Sequence, residues 1–292
     1  MNISRLGLGT VQFGKKYGFN NSLVRKQNEV NKILDLSIKY KISILDTAYS
    51  YLTAEKKIGN YKKNNSFKII TKIPEIKSDS ISEKEIENVK RNFYKSLKNM
   101  KKKNIYGILI HNFKDIYKPG SIYLINLLKQ FKKDNLVKKI GISIYKPKQL
   151  KEALRFFYPD IVQFPLNLLD QRFLNINFHH YKRIEFHARS VFLQGLLLQD
   201  LNKIPNYFLP IKKSLEQMKN YFYKKGLNQL EACIMFVFNQ KKINHFILGV
   251  DNYTHLEEII SIFKKKSKNN KINFSQFSMN NSKFIDPRNW LI

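Results

Sequence analysis

Eight short apolar, β-branched stretches recur along this chain, and longer stretches of helical periodicity separate them. They are LGLGTVQF (6–13), ISILDT (42–47), FKIITKI (67–73), YGILIHN (106–112), KKIGIS (138–143), DIVQFPL (160–166), IEFHARS (184–190) and HFILGV (245–250). Helices are expected over 28–40, 53–59, 83–99, 120–133, 147–157, 171–180, 210–224 with 227–239, and 254–266. In the first, Val30, Ile33, Leu34, Leu36 and Ile38 form an apolar stripe opposite Asn, Lys and Asp. Strict alternation of strand and helix makes the strands parallel. Eight such units with no strand to spare close into a (β/α)8 TIM barrel; a doubly wound open sheet of similar length is the alternative.

No Ser/Gly-rich linker divides the 292 residues, and no solenoid-like repeat goes beyond the strand–helix alternation. One α/β domain over 1–292 is expected. Two regions break the rhythm: a long connection at 191–209 after the seventh strand, and a Lys/Asn-rich tail at 267–292 ending FIDPRNWLI. Both are placed where loops cover the barrel mouth. The start, MNISRLGLGT, lacks the charged and apolar regions of a signal peptide. The longest apolar runs, such as CIMFVF at 233–238, fall far short of the ~20 residues a membrane span needs. With the single cysteine, Cys233, unable to form an internal disulfide, the expectation is a cytoplasmic protein.

The formal charge of +31 raises the question of nucleic acid. Only eight of the 53 basic residues are Arg, the side chain suited to bidentate recognition of phosphates and bases. The lysines are spread over many helices, often beside Asn and Ile, as in KKKSKNNKINF. They read as a solvated surface with a weak attraction for anions, not as a specific nucleic-acid site.

Barrel chemistry sits at the C-terminal ends of the strands. Those ends carry Asp46, Lys72, His111, Ser143, Gln163, Arg189 with Ser190, and Gly249. Lys72 follows KIIT and precedes IP, so its ammonium needs an anion, and Asp46 on the neighbouring strand is the partner expected. A lysine beside a phenol lowers the phenol's pKa and makes it a general acid toward a carbonyl oxygen as hydride arrives. His111 can donate to the same oxygen. No side chain supplies hydride, so a nicotinamide must. Tyr49 and Tyr51 both follow Asp46, and spacing alone does not choose between them. His187 reads as a core histidine, and His179 and His180 as surface residues. Phe284 and Trp290 are either packing anchors or pocket walls. No HxH pair on the first strand and no CxxC suggests a metal site.

Together these motifs resemble the aldo/keto reductases, (β/α)8 barrels that reduce carbonyls with NADPH. The family's LGLGT stands here as Leu6 to Thr10, and its DTAxxYxxxExxxG as Asp46, Thr47, Ala48, Tyr51, Glu55 and Gly59. TK is Thr71-Lys72 and LIH is Leu109 to His111, followed by IGIS at 140–143, VQFPLN at 162–167, RSVFLQGLL at 189–197 and ILGV at 247–250. The resemblance covers nearly the whole chain. It implies Tyr51 as the acid, Asp46 and Lys72 tuning it, and His111 orienting a small-molecule carbonyl substrate. It also implies cofactor contacts from Gly9, Thr10, Ser143, Gln163, Arg189, Ser190, Gly249 and His255. The two glutamine and serine side chains at 163 and 143 would meet the nicotinamide carboxamide, and Ser190 the pyrophosphate. Tyr49 falls on a variable position.

Four departures stand out. Leu52 replaces the usual Gly after the tyrosine, Ile144 an Asn, and Arg189 an aromatic residue that stacks on the nicotinamide. Gly249 and His255 stand where some members place basic residues for the 2′-phosphate. NADPH is the expected cofactor, with NADH possible, in a monomer or weak oligomer. A barrel that keeps the cofactor but serves as a regulatory or interaction protein is the alternative.

Overall fold

Side chains on a strand alternate between its two faces, and here that alternation builds two cores. The computed structural model describes residues 2–18, 23–264 and 272–291. Its strands are β1 (Leu6–Gly9), β2 (Ile44–Asp46), β3 (Lys68–Ile73), β4 (Ile105–Ile110), β5 (Val137–Ser143), β6 (Ile161–Pro165), β7 (Glu185–Arg189) and β8 (His245–Gly249). They pair in parallel in chain order, and β8 returns to β1, closing the barrel. Ile44, Ile70, Leu109, Ile161 and Ile247 point inward and form a buried plug. Their neighbours Leu45, Ile69, Ile108, Val162 and Leu248 belong to the larger core outside the barrel, shared with the surrounding helices.

Gly7 belongs to the inner layer by close approach. A Cβ there would stand 2.7 Å from Ile247 Cδ1 and 3.0 Å from Ile44 Cγ2, so the glycine lets the plug's side chains meet across β1.

The helices are α1 (Val11–Gly14), α2 (Gln27–Lys39), α3 (Ala54–Asn60), α4 (Glu83–Met100), α5 (Ser121–Lys133), α6 (Lys148–Ala153), α7 (Leu209–Lys224), α8 (Gln229–Phe238), α9 (Tyr253–Lys264) and α10 (Ser282–Ile285). Val30, Ile33, Leu34 and Leu36 of α2 are buried, as their stripe requires. Capping boxes start α4, through Ser82 and Glu85, and α8, through Asn228 and Glu231.

Two expected helices differ. The segment 147–157 yields only the short α6, followed by turn from Leu154 to Phe156, and Pro159 bars helix from resuming just before it. The segment 171–180 forms two separate 3-10 turns, Arg172–Asn175 and Phe178–Tyr181, parted by extended Ile176. There the Asn177 side chain accepts from the His179 amide and starts a new turn instead of continuing a helix. The end of the helix expected over 254–266, and the first residues of the tail, 267–271, lie outside the described residues.

Beyond β7 the connection makes a left-handed kink, with positive φ at Ser190, Leu193, Gln194 and Gly195. The described tail packs across this side. Met279 N donates to Leu169 O at 2.7 Å, and Tyr207 Oη donates to Lys283 O and Asn289 O. Trp290 meets Phe208 edge-on at 4.9 Å and donates to Phe284 O, so Trp290 and buried Phe284 are packing anchors. No helix among the described residues is long and apolar enough to cross a membrane.

Candidate active site

Two positions beyond each plug residue, the same inward face emerges at the barrel mouth. Ile44 leads to Asp46, Ile70 to Lys72, Leu109 to His111, Ile161 to Gln163 and Ile247 to Gly249. Register brings them level across the strands: Gly9 lies opposite both Asp46 and Gly249, and Ser143 opposite Gln163. Above them is a cavity of about 380 Å³. Its walls include Gly9, Asp46, Tyr51, Lys72, His111, Gln163, Arg189, Ser190, Gly249 and His255.

Lys72 and Asp46 are buried and joined at both carboxylate oxygens, 2.8 and 2.7 Å from Nζ; the ammonium also donates to Thr47 O at 2.9 Å. Gln163 Nε2 donates to Asp46 Oδ1 at 2.7 Å. Burial draws Lys72 below its ordinary pKa against the pull of Asp46. Tyr51 sits at the end of a 3-10 turn, Tyr49–Tyr51, with its ring centroid 5.5 Å from Lys72 Nζ and 6.4 Å, edge-on, from that of His111.

Burial and then the charge of Asp46 hold the Tyr51 hydroxyl well above its ordinary pKa. That is opposite to the direction expected from Lys72, because burial dominates and Asp46, paired with the lysine, adds to it. His111 is pushed down to about 3, by burial first and then by Lys72, Arg189 and Lys15, so its imidazole is neutral.

Arg189 extends from β7 into the cavity. Its guanidinium lies 4.2 Å from the centroid of the Tyr145 ring and donates to Ser190 Oγ at 3.2 Å and Ser143 Oγ at 3.4 Å. Arg288 of the tail lies 3.3 Å from the same centroid and is held by Asp286.

Other expected residues sit differently. Thr10 does not line the cavity; its amide and hydroxyl both donate to Asp46 O. Ser143 lies behind Arg189 rather than in the wall. Ile144 is buried in the outer core, so no carboxamide reaches the mouth from there. Tyr49 is absent from the cavity wall and lies under Lys95 of α4. Glu55 is buried and accepts from Thr71 Oγ1 at 2.7 Å, pinning α3 to β3. His187 is fully buried in the barrel and contacts Glu185, as a core histidine does.

Sequence reasoning missed Gln12, Lys15, Tyr17, Tyr145 and Gln194, all cavity-lining. Only Tyr145 had a signal: two positions past Ser143, it keeps the inward parity of β5. The rest come from the short α1 and from the segments after β1 and β7, where no strand parity applies.

The family model of the aldo/keto reductases matches residues 5–274. The chain belongs to the aldo/keto reductase family. It is therefore an NAD(P)H-dependent oxidoreductase, with a nicotinamide cofactor and small carbonyl substrates as the family's general chemistry. No curated protein matches this aldo/keto reductase by sequence.

Solved structures share its fold at low identity. A Pseudomonas aeruginosa protein assigned as an aldo-keto reductase is 21% identical, with a TM-score of 0.65 over 88% of each chain. The holo form of a Bacillus halodurans aldo-keto reductase is 16% identical, with a TM-score of 0.72 over 94% of this chain and 89% of that one. A glycerol dehydrogenase from Gluconobacter oxydans is 16% identical, with a TM-score of 0.67 over 90% of this chain and 88% of its own.

Proposed function

We propose that this aldo/keto reductase reduces an aldehyde or ketone to the alcohol, reversibly, with Tyr51 as proton donor and NADPH, or NADH in its place, as cofactor. The observation that carries this reading is the buried Lys72–Asp46 pair with the Tyr51 and His111 rings gathered over it.

The residues present fit a nicotinamide. Gln163 Oε1 and Gln12 Oε1 are buried acceptors without partners, and both residues line the cavity. An acceptor so placed suits a carboxamide N–H. Gln163, Gly9, Gly249, Ser190 and His255 would hold the cofactor, with Ser143, behind Arg189, and Thr10 as outer support. When bound, the nicotinamide supplies the hydride.

The chain's own residues handle the proton. Tyr51, kept above its ordinary pKa, stays protonated at working pH and carries the proton on Oη until the carbonyl oxygen gains charge. Lys72, fixed by Asp46, then faces the developing tyrosinate and stabilises it. Neutral His111 donates one ring N–H to the carbonyl oxygen without competing as an acid. The apolar plug below excludes water from the floor.

Tyr51→Phe removes the proton and is expected to lower kcat by about 10²-fold or more, while cofactor affinity stays within a few-fold. Stopped-flow turnover with a panel of aldehydes, beside a fluorescence titration of NADPH and NADH, checks both parts. Undiminished turnover in the variant would remove Tyr51 from the role.

A further inference from the structure

The charges around the cavity do not balance. Each carboxylate at or beside it is engaged. Asp46 holds Lys72 and Gln163, Asp251 lies 3.7 Å from Arg25, Asp286 is gripped by Arg288, and Glu75 accepts from Asn112. Two cations in the wall have no such answer. Lys15, just past α1, makes no ion pair or side-chain hydrogen bond among the described residues. Arg189 has no carboxylate within 4.0 Å among them; Asp286, already gripped by Arg288, acts on it only from farther away. A guanidinium carries five N–H donors, and Arg189 spends two of them on serine hydroxyls, backed by the Tyr145 ring.

Both cations act on His111, whose ring lies edge-on to that of Tyr51, and Arg189 acts on Tyr51 as well. Half-buried charges without a counter-ion in contact lose hydration for little return, and an arriving anion restores that loss. A second cavity, of about 510 Å³, shares His111 and Tyr145 and adds Lys114 and Arg288 with a single acid, Glu75.

We propose that the substrate is a carbonyl compound bearing a carboxylate or phosphate, held by Arg189 and Lys15 while its carbonyl meets Tyr51 and His111. This rests on the reductase reading above and names the substrate class for it. The cofactor's pyrophosphate offers the same anionic chemistry, and competition separates the two sources.

Calorimetry on the cofactor-saturated protein at ~0.15 M salt, where loose attraction to the basic surface is screened, compares benzoate with benzamide. Benzoate is expected to bind at least about tenfold more tightly, and Lys15→Gln to remove most of that preference while Lys15→Arg retains it. Lys224→Gln, an exposed change on α7 outside the cavity wall, removes the same net charge and is expected to change nothing. In turnover, kcat/KM for 4-carboxybenzaldehyde is expected to exceed that for 4-methylbenzaldehyde, and the gap to narrow in Lys15→Gln.

Equal affinity for benzoate and benzamide overturns the proposal. So does benzoate that the dinucleotide displaces, which would assign the cations to the cofactor. If neither NADPH nor NADH binds, the reductase reading falls and the proposal with it. If one binds and benzoate gains no preference, only the proposal falls.

Discussion

Leu52 shows how one residue can carry strain for the site. It follows Tyr51 at φ 51°, ψ −106°, a conformation favourable only to glycine, and its side chain is 68% exposed. The turn has no freedom to relax. Tyr51 O lies against Gly14 so closely that a Cβ at 14 would stand 1.7 Å from it. The backbone therefore keeps the glycine-type turn although the sequence departs from it. Leu52→Gly is expected to raise stability by about 1 kcal/mol, relief of strain outweighing the added freedom of the unfolded chain. A rise in the urea midpoint at unchanged slope checks it; a fall would mean that Leu52 packs more than its exposure indicates.

At the level of elements, the barrel is also tied at the end opposite the site. Arg5, just before β1, donates to Phe238 O and Gln240 O at the end of α8 and to Ile243 O before β8. Its guanidinium also sits 4.8 Å from the centroid of the Phe246 ring. A cation on the last carbonyls of a helix both satisfies them and suits the helix dipole. Arg5→Leu removes the side-chain donor from those carbonyls, of which Gln240 O keeps the Ile243 amide, and is expected to cost about 2–4 kcal/mol, read as a lower thermal midpoint with the cavity-bound cofactor affinity little changed. Chemistry at the mouth and cohesion at the base are thus separable, as barrels generally allow.

Across the whole molecule, buried histidines make the fold acid-sensitive. His111 titrates at about 3 and His245 at about 4 in the fold, against 6.5 for a free imidazole; burial is the main cause in both, reinforced by Lys72, Arg189 and Lys15 for His111 and by His187 for His245. Glu185 is brought to about 2 from 4.5, hydrogen bonds from His187, Lys139 and Tyr106 overcoming the burial that would raise it. Both imidazoles remain neutral in the fold where the unfolded chain takes up protons. Their stabilisation is complete above pH 6.5 and drains as pH falls toward the folded values, by about 1.4 kcal/mol per pH unit for each. Glu185 adds a loss that begins only below 4.5. The thermal midpoint is expected to fall steadily from pH 6.5 to 4, whereas a flat profile there would show that these imidazoles protonate without unfolding the barrel.

Much of this was legible beforehand because strand parity is local. Once the apolar runs are taken as strands, the inward set that begins with Ile44 and Ile70 must continue to Asp46 and Lys72, whatever the rest of the chain does. All eight strands and the mouth residues on them follow from that period of two. The segments 147–157 and 171–180 carry helical periodicity, but the first helix stops at Ala153 and the second gives way to the turn that Asn177 caps. What only the tertiary structure decided depends on groups far apart in the chain. Burial, and then Asp46 beside Lys72, reverses the expected shift of Tyr51, and Gln163 spends its amide on Asp46. The segments after β1 and β5, the end of β7 and the tail set Lys15, Tyr145, Arg189 and Arg288 around one mouth. Sequence periodicity determines which face a side chain takes; the balance of charge and hydration around it depends on neighbours that only the closed barrel brings together.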